Sequence, residues 1–277
     1  MQACHTYENT QTYYETHGEG PEVIVFLHGF ACSHLNWYLI KDYFDPKKYT
    51  LYLVDLKGFG NTSKTRDKKY SIKDLAIIIA DLIKQLNLEN IILAGHSLGA
   101  AVGLTTTVLL DKHFIKKLIL IGVPAYIDYI PRFIKKLRTP VINKLFMLFV
   151  YLLPNAVKKA LTRIYYDPNK VTDEIISFYT PYYKKPSMAY TYVQIARRVI
   201  PEDYEMIISK YPGIEIPVLL IWGTNDNVVS KRNGYRLKED LPNCKFEFIN
   251  SCGHNTMEEC PVETSQLILN FVEDKSL

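Results

Sequence analysis

The stretch IILAGHSLGAA, residues 91–101, decides the fold. A run of branched apolar side chains, typical of a buried β-strand, ends at Gly95, and small residues typical of a tightly packed helix follow Gly99. Ser97 lies between them, where the chain would turn from strand to helix. Glycines on both sides make so sharp a turn sterically possible. The stretch therefore predicts a strand, a strained turn that exposes Ser97, and a helix; the alternative is a tight turn that contains a serine by chance.

Apolar segments of strand length recur in the first and last parts of the chain, and segments with helical spacing separate them. The strand-like segments are residues 22–29, 49–60, 90–97, 117–124, 216–226 and 244–254, and the helical ones are 71–87, 98–110, 231–241 and 261–272. Strands that are apolar throughout and alternate with helices are typical of parallel sheets buried on both faces. The sequence therefore predicts an α/β fold with a mostly parallel central sheet and helices on both faces.

A long insertion interrupts this pattern, because residues 125–210 contain prolines and helical segments but no strand-like one. We therefore expect a core formed by residues 1–124 and 211–277, interrupted by a helical insertion at 125–210. The insertion has 14 lysines and arginines against 7 acidic residues, a net charge of +7, whereas the rest of the chain has −3. Its segment 132–164 mixes apolar runs with basic residues. The apolar face of this segment is predicted to line a substrate pocket. Peripheral membrane contact by the segment is the less favoured alternative.

Composition narrows the possible partners. The chain has 277 residues, 48% hydrophobic and 22% charged, as in ordinary globular proteins. A net charge of +4 without a basic block argues against nucleic-acid binding. Five irregularly spaced cysteines and no signal-peptide pattern predict a cytoplasmic protein without a disulfide framework. We expect a small-molecule substrate and no metal or cofactor, and the oligomeric state is left open.

A serine hydroxyl becomes an effective nucleophile only with a general base, which in turn needs an orienting acid. Candidates for both follow later strands: Asp226 ends LLIWGTND and His254 ends FEFINSCGH. Each comes after the carboxyl end of a predicted parallel strand, where the functional loops of such sheets meet. Ser97, Asp226 and His254 are therefore predicted as nucleophile, orienting acid and general base. Asp128, which follows an earlier strand, is the rival acid.

An oxyanion hole is predicted beside the serine. The backbone N–H groups of Phe30, in the HGF turn after the first parallel strand, and of Leu98 are its expected donors. The residues expected to support the turn and the loop are His28, Gly29, Gly95, His96 and Gly99. Asp55 is expected to have a structural role, and His34, which lies outside every motif, is expected to face solvent.

The motifs HGF (28–30), DLKGFGNTS (55–63), GHSLG (95–99), WGTND (222–226) and GH (253–254) together resemble the α/β-hydrolase fold family. The chain is most similar to its capped branch, which includes small carboxylesterases, monoacylglycerol lipases, epoxide hydrolases and carbon–carbon bond hydrolases. The resemblance implies the three catalytic roles above and that residues 125–210 form a helical cap over the site. Epoxide hydrolases and haloalkane dehalogenases have an aspartate at the nucleophile elbow, the strand-to-helix turn that Ser97 occupies in this sequence. Ser97 therefore disfavours those two reactions.

The expected function is that of a serine hydrolase that cleaves carboxylic esters of apolar, small to medium substrates through an acyl-enzyme. Carbon–carbon bond hydrolysis and monoacylglycerol hydrolysis are the alternatives within enzymes. A ligand receptor with a hydrolase fold and little turnover is the alternative of another class.

Overall fold

The computed structural model describes residues 1–127, 155–183 and 186–274. Eight strands form one sheet in the order β1-β2-β4-β3-β5-β6-β7-β8. Neighbouring strands from β4 to β8 are parallel, whereas β2 is antiparallel to both β1 and β4. The strands are β1 (Gln2–Tyr7), β2 (Thr10–His17), β3 (Glu22–Leu27), β4 (Tyr49–Val54), β5 (Ile91–His96), β6 (Ile115–Ile121), β7 (Val218–Gly223) and β8 (Cys244–Ile249). The predicted α/β fold with a mostly parallel sheet is confirmed.

Helices cover both faces of the sheet. Those of the core are α1 (Tyr38–Lys41), α2 (Ile72–Gln85), α3 (Leu98–Leu109), α8 (Arg232–Asp240), α9 (Thr256–Glu259) and α10 (Pro261–Glu273). Helix α2 begins at Ser71, whose side chain accepts from Asp74 N–H while the Asp74 carboxylate accepts from Ser71 N–H, a capping box. The four helices predicted in the core are all present, within two residues of the predicted bounds.

Side-chain alternation along the strands divides the core into two apolar layers. In β3, Val25 and Leu27 pack with helices α2, α3 and α8, whereas Ile24 and Phe26 pack with α1, α9 and α10. All four side chains are buried. The central strands are therefore packed on both faces. The predicted site residues follow the carboxyl ends of these strands.

Strands β1 and β2 were not predicted, because their sequences, QACHTY and TQTYYETH, contain many polar residues. They form a hairpin that is added to the sheet through β4, with Tyr14 opposite Val54. The pairing partner, rather than the local apolar pattern, makes these segments strands.

The regular elements in the described part of the insertion are helices, with α4 (Ala156–Ile164), α5 (Asp173–Tyr183), α6 (Pro186–Arg198) and α7 (Tyr204–Ile208) joined by turns and irregular segments. Residues 128–154, which include Asp128 and most of the basic apolar segment 132–164, lie outside the described residues. The cap at 125–210 therefore stays a prediction as a whole. Within the described ranges, the structure contains no helix that is long and apolar enough to cross a membrane.

Candidate active site

Ser97 lies at the sharp turn between β5 and α3, as the sequence predicts. Its backbone has φ 51° and ψ −114°, which is unfavourable for a residue with a side chain. The turn is held because Ser97 N–H donates to Ile121 O at 2.8 Å. A Cβ on Gly95 would lie 2.5 Å from Gly99 O, and one on Gly99 would lie 2.2 Å from Leu27 O. Backbone segments approach too closely here for any residue but glycine, so the predicted roles of Gly95 and Gly99 are explained.

Asp226 and His254 form a hydrogen-bonded pair at the carboxyl ends of β7 and β8. His254 Nδ1 and Asp226 Oδ2 are 2.8 Å apart, and the side chains are 5% and 2% exposed. The other oxygen, Asp226 Oδ1, accepts from the backbone N–H groups of Val228 at 2.8 Å and Val229 at 2.9 Å. Because a carboxylate only accepts hydrogen bonds, the proton of the neutral imidazole lies on Nδ1, and Nε2 is free to accept another.

His96 connects this pair to the elbow. Its Nε2 lies 3.1 Å from His254 O and must donate, since a carbonyl only accepts; the ring centroids of the two histidines are 4.7 Å apart. Burial lowers the pKa of His96 well below its usual value, and the nearby His254 lowers it further, so His96 stays neutral. A Cβ on Gly122, the residue after Ile121, would lie 3.1 Å from the His254 ring. Ser97 and His254 thus share close neighbours, although the described residues form no hydrogen bond between Ser97 Oγ and the imidazole.

His28 orients the turn that carries the first predicted oxyanion donor. Leu56 N–H donates to His28 Nε2 at 3.0 Å, so the ring proton lies on Nδ1, which donates to Gly29 O at 2.8 Å. Cys32 N–H donates to the same oxygen at 3.3 Å. Because the peptide is trans, the N–H of Phe30 points away from that carbonyl. Burial lowers the pKa of His28 to about 4, which keeps the ring neutral and its hydrogen bonds unchanged near neutral pH.

The turn at residues 28–30, named the oxyanion turn after its predicted donor Phe30, lies directly against the strand-to-helix turn of Ser97. A Cβ on Gly29 would lie 3.4 Å from Ser97 Cβ and 2.7 Å from His96 Nδ1. Ala31 has φ 63°, a second strained residue beside the site. Leu98 is the first residue of α3, and the first N–H groups of a helix have no acceptor within the helix. The structure therefore brings both predicted donor segments to Ser97.

The insertion contacts the loops of the acid and the histidine, which the sequence analysis did not predict. His254 N–H donates to Ile164 O at 3.0 Å, and Asn227 Nδ2 donates to Arg163 O at 2.7 Å. The end of helix α4 therefore supports the residue after Asp226 as well as His254 itself.

Glu258 and Glu259 were also missed, and both are buried in α9 just after His254. The available signal was two adjacent acidic residues between Met257 and Cys260 in an otherwise uncharged stretch. Nothing in so short a stretch shows which side chains are buried, because their partners come from distant parts of the chain.

Asp55 has the expected structural role, but the prediction that His34 faces solvent is wrong. His34 is 2% exposed, and Asp55 accepts from its backbone N–H at 2.6 Å and lies 3.0 Å from its Nδ1. Asp55 also accepts from Asn61 N–H at 2.7 Å. A partner 21 residues away keeps His34 buried, which its local sequence does not reveal.

Comparison with known proteins agrees with this architecture. The profile of the α/β-hydrolase fold family matches residues 22–144 and 128–261. Among curated relatives, the uncharacterized hydrolase YugF of Bacillus subtilis is 26% identical over 276 residues, covering 97% of this chain and 96% of its own. A 2-hydroxy-6-oxononadienedioate/2-hydroxy-6-oxononatrienedioate hydrolase of Pseudomonas putida is 26% identical over 281 residues, covering 95% and 92%.

Among solved structures, that of the epoxide hydrolase CorEH superposes with a TM-score of 0.83 at 20% identity and covers 98% of both chains. At this identity the likeness concerns the fold. Together with the family profile, which spans most of the chain, it shows that this protein belongs to the α/β-hydrolase fold family and is a hydrolase.

Proposed function

We propose that the protein is a serine hydrolase that cleaves carboxylic esters of apolar alcohols or acids through an acyl-enzyme. The observation that carries the proposal is the Asp226–His254 pair, which lies against the strained elbow of Ser97. This arrangement leaves His254 Nε2 as the proton acceptor on the side away from Asp226. A strained serine beside an imidazole that a carboxylate orients is the arrangement that acyl transfer requires.

In the first half of the reaction, Ser97 Oγ attacks the ester carbonyl and its proton passes to His254 Nε2. The carbonyl oxygen becomes an oxyanion, which the N–H groups of Phe30 and Leu98 stabilise. His254 then gives the proton to the departing alkoxide, so that an alcohol leaves and the acyl group stays on Ser97. In the second half, water attacks the acyl-enzyme, His254 takes its proton and returns it to Ser97 Oγ, and a carboxylic acid leaves. Asp226 stabilises the imidazolium in both halves without taking up its proton.

The surroundings of the oxyanion turn favour an apolar substrate. The Phe30 ring packs against Phe59, with centroids 5.8 Å apart, and against Tyr192 of the insertion at 5.2 Å. Leu98 is 5% exposed. Aromatic and aliphatic side chains of this kind are typical of ligand clefts that bind apolar groups and use few polar contacts.

Hydrolysis of a carbon–carbon bond in a vinylogous diketone is the second candidate, because the Pseudomonas putida relative is named a 2-hydroxy-6-oxononadienedioate hydrolase and such a hydroxy-oxo-dienoate is the enol form of a vinylogous diketone. The two functions differ in the charge of the substrate, since a dienedioate has two carboxylates. A comparison of p-nitrophenyl esters of increasing chain length with one such diketone acid separates them: we expect faster turnover of the esters.

Membrane contact through the basic insertion and a cytoplasmic location stay predictions. In the described part of that segment, Val157 and Leu161 of α4 are buried in the protein, whereas Lys158, Lys159 and Arg163 are exposed. This favours the interpretation that the apolar face of α4 packs on the protein rather than on a lipid surface.

The central experiment is covalent labelling. A fluorophosphonate should modify Ser97, identified by mass spectrometry of peptides, and Ser97→Ala should abolish both labelling and ester turnover while the melting temperature stays close to that of the wild type. Ser209→Ala, which removes an exposed hydroxyl of the insertion, is the matched control. Ester turnover that persists in Ser97→Ala would refute the serine mechanism. A wild type that is labelled but completes only a few slow turnovers would support the receptor alternative.

A further inference from the structure

The carboxylate of Glu258 is buried and surrounded by hydrogen-bond donors; the side chain is 3% exposed. One oxygen, Oε1, accepts from Asn36 Nδ2 at 2.5 Å and from Tyr179 OH at 2.8 Å. The other, Oε2, accepts from Tyr165 OH at 2.6 Å and from Asn255 Nδ2 at 3.0 Å. Burial raises the pKa of Glu258, and these hydrogen bonds oppose the rise. A carboxylate this well satisfied by neutral donors is held in one position.

The donors come from three parts of the chain that meet at the candidate active site. Asn36 lies in the short 3₁₀ turn His34–Trp37, which follows the oxyanion turn. Tyr165 follows helix α4 and Tyr179 lies in α5, so both belong to the insertion. Asn255 is the residue after His254. Glu258 therefore joins the oxyanion turn, the insertion and the loop of the catalytic base.

Glu259 adds a second set of links between the insertion and the same loop. Its Oε2 accepts from Gly253 N–H at 2.6 Å and its Oε1 from Asp167 N–H at 2.7 Å. Lys170 Nζ donates to Glu259 O at 2.8 Å. The stretch from residue 163 to residue 170 is thus bound to both sides of His254, which is not the arrangement of a lid that swings free.

We propose that Glu258 is a positioning residue for the hydrolysis proposed above. Its carboxylate, held by Tyr165 and Tyr179, fixes the loop of His254 against the insertion and keeps the imidazole aligned with Ser97. Glu258 acts through Asn255 and helix α9 and does not touch the substrate. The insertion therefore contributes to catalysis as well as to substrate selection. This inference rests on the proposed function, and its test includes a measurement that does not depend on turnover.

Three variants disturb the cluster: Tyr165→Phe and Tyr179→Phe each delete one hydroxyl that donates to Glu258, and Glu258→Gln replaces one of the two acceptor oxygens by an NH₂ group. The two phenylalanine variants delete a single hydroxyl and keep the packing, so they test the proposal even where Glu258→Gln fails to fold. We expect kcat for a short p-nitrophenyl ester to fall about tenfold or more, because small errors in alignment are costly to catalysis, with KM within about twofold of the wild type.

Tyr190→Phe is the matched control. Tyr190 also joins the insertion to the core through its hydroxyl, which donates to Asp67 O at 2.9 Å and to Arg66 O at 3.0 Å, but this link does not reach the loop of His254. If the variants acted only by loosening the insertion, Tyr190→Phe would lower kcat as much as Tyr179→Phe. We expect its kcat to equal that of the wild type.

The measurement independent of turnover is the downfield proton resonance of His254 Nδ1–H in the bond to Asp226, assigned by its loss in His254→Ala. We expect it to broaden or shift in Tyr165→Phe, Tyr179→Phe and Glu258→Gln, but not in Tyr190→Phe. An unchanged resonance in the first three variants overturns the proposal whatever happens to kcat, and so does an equal loss of kcat in Tyr190→Phe. A wild type without ester turnover or labelling refutes the proposed function instead, and the resonance alone then decides the role of Glu258.

Discussion

Asp226→Asn tests the proposed role of Asp226 as the catalytic acid, because it should change which nitrogen of His254 carries the proton. The asparagine has two possible orientations. In one, its oxygen keeps the hydrogen bonds from Val228 and Val229, now 2.8 Å and 2.9 Å long, and its NH₂ group faces His254 Nδ1. In the other, the NH₂ group faces both backbone donors and leaves them unsatisfied. Each unsatisfied buried donor costs about 1–3 kcal/mol, so the first orientation dominates.

The first orientation places a donor against His254 Nδ1. The imidazole must then accept on Nδ1 and carry its proton on Nε2, where it cannot take the proton of Ser97. In serine hydrolases with this arrangement, the wrong tautomer lowers kcat by about 10⁴-fold, which corresponds to about 5.5 kcal/mol of transition-state stabilisation. We expect a loss of this size in kcat, with little change in KM, because Asp226 does not contact the substrate.

Stopped-flow measurement of p-nitrophenol release separates acylation from deacylation in this variant. Glu247→Gln, which removes the same charge from an exposed position on β8, should leave both rates unchanged. A decrease of less than tenfold in Asp226→Asn would refute the role of Asp226. A loss of about 10⁴-fold in Asp128→Asn would assign that role to the rival acid after β6.

Two further predictions concern the supports of the site. Gly99→Ala should destabilise the protein by at least about 3 kcal/mol, because the new Cβ would lie 2.2 Å from Leu27 O. The control Gly213→Ala, where nothing lies within 4 Å of the new Cβ, should change the free energy of unfolding by less than about 1 kcal/mol. Equal urea midpoints for the two variants would contradict this prediction. Because the pKa of His28 is lowered to about 4 in the folded state, the unfolded chain binds more protons as the pH falls, so the stability that neutral His28 contributes above about pH 6.5 should decrease by about 3 kcal/mol towards pH 4. His96, whose pKa burial also lowers, adds to the decrease. Urea unfolding across this range should show the decrease in the wild type and in the exposed-site variant His113→Gln alike, and a flat profile would argue against a neutral, buried His28.

The sequence predicts most of the central sheet because its parallel strands are buried on both faces, so each is a short apolar run that needs no knowledge of its partners. The same geometry explains why the site residues could be proposed from spacing. The carboxyl ends of parallel strands share one edge of the sheet, so Asp226 after β7 and His254 after β8 had to lie near each other. Their 2.8 Å contact follows from strand order, even though 28 residues separate them along the chain.

The residues that were missed depend on partners far away in sequence. The hairpin of β1 and β2 exists through its pairing with β4, and its apolar pattern is obscured because β2 buries polar residues on both faces, such as Thr12 and Glu15. His34 is buried because Asp55 accepts its backbone N–H. Glu258 has hydrogen-bond partners up to 222 residues away. Local sequence propensity cannot predict such contacts. A polar side chain is stable in the core only when its hydrogen bonds are formed, and their partners come from distant parts of the chain.

The backbone of His254, the proposed general base, forms hydrogen bonds with both the core and the insertion. Its carbonyl accepts from His96, the neighbour of Ser97, and its N–H donates to Ile164 at the end of α4. The first bond ties the backbone of His254 to the residue before Ser97, and the second ties the same backbone to the insertion. If His254 is the general base, as we propose, a change in the insertion that moves Ile164 should move that base, whereas a change elsewhere in the insertion, as at Tyr190, need not. The proposal therefore predicts that residues 163–170 tolerate fewer substitutions than the described parts of the insertion that do not contact the loops of Asp226 and His254.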